Sequence, residues 1–215
     1  ATGALFVPRN GDGSTTPRAP NGSFLRNPAD DENQTYALDG RWGIGNNALI
    51  QAWVAETRTP GLTGRDDAFA VIGDYNDADW TYGLGYTEVG ENFNPEVGFL
   101  ARRNYKKLEG RIFRRVRPTD LWNLFEIRPH IVYRGYWDFE DFQETGFLHM
   151  DTHWEFQTGR EVHTGVNVTK EGLKQSFDIV PGVTIPEGTY NHEELQLVYV
   201  GNTSAPVSFE LRTTI

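Results

Sequence analysis

The run His149-x-Asp151-x-His153-x-Glu155 sets four ionisable side chains at alternate positions. Alternate residues of a strand share a face, and imidazoles with carboxylates are donors suited to a divalent metal. Same-face neighbours on one strand stand about 6–7 Å apart, so a tight site would need ligands from adjoining strands. Leu148, Met150, Trp154 and Phe156 occupy the other face and require the ionisable face to be wet. The four polar residues are therefore expected to line a lumen, with no metal and no cofactor. A second row, Glu126, Arg128, His130 and Arg134, alternates with Phe125, Ile127, Ile131 and Tyr133. Burying that row in a dry core would be very costly, and a water-filled lumen removes the difficulty. Arg111 is placed in the same lumen. It belongs to a basic run, residues 102–117, that holds eight of the twenty Lys and Arg residues of an otherwise acidic chain. Such a run reads either as a solvated strand pair or as a surface lining a pore or binding polyanions.

Other chemistries have little support. There is no Gly-x-Ser-x-Gly, no His-Glu-x-x-His and no phosphate-binding Gly-rich loop. Zero Cys removes thiol nucleophiles, Cys-ligated zinc and iron–sulfur clusters together. The pairs Glu140/Asp141 and Glu193/Glu194 have the residue types of a glycosidase, but spacing in sequence does not fix their separation in space. No catalytic residue is assigned.

Strands must position these side chains. The chain has 215 residues, 23 Gly, 28 aromatics and one Met, a mixture poor in helix formers and rich in residues suited to pleated surfaces. Trp80, Tyr82, Leu84 and Tyr86 alternate with Thr81, Gly83, Gly85 and Thr87, and Tyr36, Leu38 and Trp42 stand on one face of an earlier run. These apolar rows, with Leu148, Met150, Trp154 and Phe156, are expected to face lipid, because membrane barrel strands alternate a lipid-facing with a lumen-facing residue. The competing explanation is a soluble sandwich with an aromatic core. The segment 1–34 reads as loop-rich, strands are expected from residue 35 onward, and residues 172–190 read as irregular around Val180-Pro181-Gly182 and Ile185-Pro186. About ten extended runs emerge, the last of them at 207–215.

The formal charge of −10 and pI near 5.0 argue against nucleic acid as the main partner. No run approaches the ~18 apolar residues of a membrane-spanning helix, which leaves strands as the only route across a bilayer. The first residues lack the basic and apolar regions of a secretory signal, so the chain is expected to be mature or part of something longer.

The stretch Gly90-Glu-Asn92-Phe93-Asn94-Pro95-Glu-Val-Gly98-Phe-Leu-Ala-Arg102, with the later Phe177-Asp-Ile179 and Ile185-Pro-Glu-Gly-Thr-Tyr190, resembles a C-terminal barrel domain of unknown function. That domain occurs in large bacterial outer-membrane proteins whose N-terminal domain is similar to family-nine carbohydrate-binding modules. The resemblance spans roughly residues 36–215 and implies an outer-membrane location and a barrel, without an established activity. Turn chemistry accounts for each residue of the Asn-Phe-Asn-Pro motif, since Asn and Pro preset turn dihedrals and Gly98 permits unusual backbone. The expectation is an antiparallel up-and-down transmembrane barrel, incomplete in this chain. It would be non-enzymatic, a channel, scaffold or component of a surface complex for glycans or nutrients, with outer-membrane lipid and surface lipoprotein subunits or glycans as partners. A secreted carbohydrate-binding module and a glycan-active hydrolase are the alternatives.

Overall fold

The computed structural model describes residues 2–10, 32–96 and 99–215. Among these residues thirteen strands follow in chain order: β1 (Thr2–Asn10), β2 (Glu32–Ile44), β3 (Ala48–Arg58), β4 (Asp67–Asn76), β5 (Trp80–Val89), β6 (Tyr105–Arg114), β7 (Leu124–Trp137), β8 (Gln143–Phe156), β9 (Glu161–Leu173), β10 (Phe177–Val180), β11 (Val183–Ile185), β12 (Gly188–Val200) and β13 (Glu210–Thr214). No helix occurs among the described residues, so the fold is all-β. Hydrogen bonding orders eleven strands as β1-β2-β3-β4-β5-β6-β7-β8-β9-β12-β13, and β10-β11 form a separate hairpin. The registered pairs are antiparallel. The order has β1 and β13 at its ends, and among the described residues no pairing closes it into a barrel.

Contacts divide the chain into two compact units, Ala1–Gly73 with Gly85–Lys107, and Asp74–Leu84 with Leu108–Ile215. In the first unit the core is small: Ala55, Ala68, Val89 and Phe93, with Ala37, Leu100 and Tyr105 packed against them. Phe93 fills it from the connection after β5. The alanines leave room for that ring, since Ala37 and Ala55 are cross-strand partners with no bulk of their own. The other face of β2 and β3 carries Leu38, Trp42 and Val54, which are 56%, 50% and 49% exposed.

The second unit is built on longer strands of 13–14 residues, β7, β8, β9 and β12. Its register joins Ile131, Met150, Val166 and Leu195 into one transverse row of an apolar face. The opposite face carries the row Arg128, His153, His163, Val198 and Arg212.

Three expectations are corrected. The segment 1–34 is not all loop, because Thr2–Asn10 forms β1; Leu5, Phe6 and Val7 pair with Ala37, Tyr36 and Thr35, and the Phe6 and Tyr36 rings stack at 4.8 Å. Most of the remaining segment lies outside the described residues. Residues 172–190 are more regular than expected: Pro181-Gly182 forms the tip of a hairpin with one register shift, between Asp178 and Val180, where Pro presets φ and Gly182 takes φ 86°, and β12 already starts at Gly188 opposite Leu173. The final strand is shorter than 207–215, pairing from Glu210 to Thr214.

Candidate functional site

The polar face of β7–β9 follows from strand registers that set like on like. Glu126 faces Glu155, which faces Glu161; Arg128 faces His153, which faces His163; His130 faces Asp151, which faces Gly165. Directly opposed carboxylates repel, and Arg128 offsets this. Its Nη2 lies 3.0 Å from Glu161 Oε2 and 3.5 Å from Glu155 Oε2, and its Nε lies 3.8 Å from Glu126 Oε1. Arg117 approaches Glu126 from outside the strand, with Nη2 2.7 Å from Oε2. One guanidinium thus sits among three carboxylates, with a second cation closing the row.

Next to this charge row lies an imidazole cluster. The His153 and His163 rings stack at 3.7 Å between centroids, 4° from parallel, and His163 donates to Glu161 Oε2 at 3.1 Å. His130 and His149 bring their Nε2 atoms to 3.2 Å. Asp151 is 7% exposed, and its Oδ2 lies 3.4 Å from His153 Nε2 and 3.8 Å from His149 Nε2. A Cβ at position 165 would stand 3.1 Å from Asp151 Cγ, so Gly165 is what leaves room for that carboxylate. Phe113 stacks on His130, and Phe147 on His149, capping the cluster with aromatic rings.

All nine residues assigned to the lumen fall on described strands. Glu126, Arg128, His130, His149, Asp151, His153 and Glu155 converge on one patch of β7 and β8. Arg134 stands further along, over the Phe147 ring at 5.9 Å. Arg111 pairs instead with Asp74 at 2.8 Å and lies against Gly83, whose added Cβ would come 2.8 Å from Arg111 Nε. The basic run does not share one face: Arg115 reaches Thr81 and the Phe113 ring, while Arg114 lies over Trp80. Arg114 ends β6 and Arg115 follows it, and the two turn to different neighbours.

Of the residues expected to face lipid, Leu38, Trp42, Tyr82, Leu84 and Met150 are exposed, Leu84 most at 64%. Tyr36, Trp80, Tyr86, Leu148, Trp154 and Phe156 are half-buried. Ring contacts account for part of that: Trp80 stacks on Tyr82 at 5.4 Å, and Tyr86 packs with Phe69. Phe156 sits at a register shift between Leu124 and Glu126.

Arg117, from the basic run, and Asn167 and Gly165, on β9, complete the site, and of these only Gly165 carries no signal of type or spacing. Asn167 lies one pairing away from His149 and bonds it, a relation that only the register of β8 and β9 reveals. At the far end of β7, Asp138 is 4% exposed and accepts the amides of Glu140 and Phe142, and Lys174 pairs with both Asp138 and Glu140. Burial works against ionisation of Asp138, but the donors from Lys174, Phe142 and Glu140 outweigh it and hold its carboxyl below the usual range. Glu140 is thus a turn brace. Glu193 and Glu194 pair with Val168 and Asn167 from adjacent positions and so point to opposite faces, which rules them out as a joint acid–base pair.

The Asn-Phe-Asn-Pro motif serves the first unit as structure. Asn33 is fully buried and donates from Nδ2 to Thr59 Oγ1 and to the Asn94 carbonyl, both at 2.8 Å, while the Asn94 amide donates to Thr57 Oγ1 at 2.9 Å. Gly98 lies outside the described residues. No family model matches the chain, and no curated protein or solved structure does so either.

Proposed function

We propose that the chain is a non-enzymatic part of a bacterial outer-membrane β-barrel, acting as a channel, a scaffold or a component of a surface complex that handles glycans or other nutrients. One observation carries this reading: successive strands of the second unit pair an exposed apolar face with a face of connected ions and imidazoles. Ile131, Met150, Val166 and Leu195 are 46%, 39%, 36% and 56% exposed on the first, whereas Glu126 and Asp151 are buried on the second. In water this is the wrong way round, since apolar side chains are solvated and charges are withdrawn. With lipid outside and water inside, both faces are matched to their surroundings.

Strand length supports it. Strands of 13–14 residues exceed the roughly 9–11 that a tilted crossing needs, leaving ends for the interfaces. Some connections follow a short-and-long pattern, with 45–47, 77–79 and 157–160 short and 59–66, 90–104 and 174–187 long, whereas 115–123, 138–142 and 201–209 do not. Outer-membrane barrels carry short periplasmic turns and longer outer loops. The two motifs resembling the outer-membrane barrel domain fall in these long connections or beside them.

Single-cysteine labelling with a membrane-impermeant polar thiol reagent, on the full chain in lipid vesicles, tests the reading. Cysteines replacing Tyr82 and Leu84 should be shielded, and become reactive in detergent, while those replacing Thr81 and Thr87 are not governed by lipid. A chain that is monodisperse in detergent-free buffer and labels equally at all four positions would sink the barrel and favour a secreted carbohydrate-binding module.

A further inference from the structure

The hydrogen bonds around His130 and His149 fix which ring nitrogen of each carries a proton. His130 Nδ1 lies 3.2 Å from the Arg128 carbonyl oxygen, which can only accept, so Nδ1 is the donor. His149 Nδ1 lies 2.6 Å from Asn167 Oδ1. The Asn167 amide is oriented by Glu194, because its Nδ2 must be the group that faces the Glu194 carboxylate at 3.3 Å. Asn167 therefore presents an oxygen to His149, and His149 Nδ1 is again the donor. In the neutral rings both Nε2 atoms then carry lone pairs, and these face each other at 3.2 Å.

Two lone pairs at that distance repel unless a cation lies between or beside them. The third group present is Asp151, whose Oδ2 is 3.8 Å from His149 Nε2 and whose Oδ1 is buried and accepts no hydrogen bond. Among the described residues the ion-pair contacts of Asp151 are to imidazoles, and no Lys or Arg lies within ion-pair distance of it. Ligand atoms of His130, His149 and Asp151 all lie within 4.8 Å of one another.

We propose that His130 Nε2, His149 Nε2 and an Asp151 carboxylate oxygen form a binding site for a divalent transition-metal ion of the zinc class. A tetrahedral ion with bonds of about 2.0–2.2 Å sets its donor atoms about 3.3–3.6 Å apart, between the 3.2 Å and 3.8 Å that separate His149 Nε2 from His130 Nε2 and from Asp151 Oδ2. Two imidazoles and a carboxylate suit a borderline ion and leave a position for water or a further ligand. The Arg128 carbonyl and Asn167 occupy the outer positions that orient ligating imidazoles in metal sites, with Glu194 behind Asn167. His153, 3.4 Å from Asp151 Oδ2, positions the carboxylate. The four-residue row on β8 read from sequence was expected to hold no metal; the site takes two of its members and gains His130 from β7, the adjoining strand. It does not depend on the membrane reading.

The test uses the full chain, stripped with chelator and titrated with Zn²⁺ by calorimetry, with metal content measured after dialysis. One equivalent should bind. His149→Ala should abolish it, and the near-isosteric Asp151→Asn should weaken it at least tenfold while keeping the far-ultraviolet circular dichroism of the parent. Asn167→Leu, which removes the orienting contact and the bond to Glu194 but no ligand, should weaken binding by about 10–100-fold, and His192→Ala should leave it unchanged. Co²⁺ in place of Zn²⁺ should give the visible absorption of a tetrahedral site, lost in His149→Ala. Zinc binding that is absent, or equal in the parent, His149→Ala and Asp151→Asn, overturns the proposal. So does imidazole ¹⁵N resonance showing a proton on one of the two Nε2 atoms that added Zn²⁺ does not displace.

Discussion

Arg128 is the residue on which the polar face turns. Its guanidinium stands between Glu126, Glu155 and Glu161, with Glu126 6% exposed. Removing it leaves directly opposed carboxylates with, among the described residues, Arg117 and His163 near them. Complete loss of a buried pair costs about 3–5 kcal/mol, and the partial exposure of Arg128 reduces this to about 1–3 kcal/mol for Arg128→Gln. Denaturant midpoints should fall accordingly, and Glu155→Gln in the same chain should restore part of the loss. Insertion into vesicles should survive, because the apolar face is untouched; failure to insert would mean that the two faces are assigned backwards. A second residue-scale prediction concerns the Asp138 turn. Asp138 has a folded value below its unfolded one, so its contribution is full above the usual carboxylate value near ~3.9 and is lost as pH falls through the depressed folded value. Lys174 runs the other way: bonds to Asp138 and then Glu140 push it up to about 12, so its contribution is full below its unfolded value and disappears as pH rises through about 12. Urea unfolding followed between about pH 2 and pH 5 should show a shallower acid loss in Asp138→Asn than in the parent. Equal slopes would show that the turn does not couple to stability.

At the scale of elements, the connection after β5 does more than link two strands. Phe93 is 5% exposed and fills the alanine-lined core of its unit, and Asn94 is held through its backbone amide and carbonyl. Phe93→Ala should cost about 3–5 kcal/mol. Asn94→Ala keeps both backbone contacts and loses only the side-chain bond to Glu96, so it should cost less than about 1.5 kcal/mol. Equal destabilisation of the two in denaturant titrations would refute the division of labour. Alternation made the strands themselves legible: Trp80 to Thr87 and Gly146 to Phe156 were readable because period two survives whatever lies next to them. Which residues share a face was legible for the same reason. What spacing did not carry was pairing. Thr2–Asn10 became a strand because Phe6 finds Tyr36, and His130 joined His149 and Asp151 because β7 meets β8 in one register among several the alternation allows. Asn167 and Gly165 matter only through that register.

For the whole molecule, sequence neighbours are also spatial neighbours along the ladder, with one departure. Between β9 and β12 the chain leaves the eleven-stranded order, makes the β10–β11 hairpin, and returns so that Gly188 pairs with Leu173. Because those two residues already lie opposite each other, a tight turn of about two to five residues replacing 174–187 should close the same pair. Circular dichroism and vesicle insertion should be unchanged, with Lys174 grafted into the new turn to keep Asp138 satisfied. Loss of strand signal would show that the hairpin supports the ladder rather than riding on it. The same ordering bears on how the chain assembles. Loop-closure entropy grows only by about 0.6 kcal/mol for each doubling of the loop, and from β2 onward each strand of the ladder meets the next across a connection no longer than that of 90–104. Assembly can then advance one hairpin at a time, each newly joined strand offering its free edge to the next segment. For the pairings along this ladder, the rate should be set by the longest local closures.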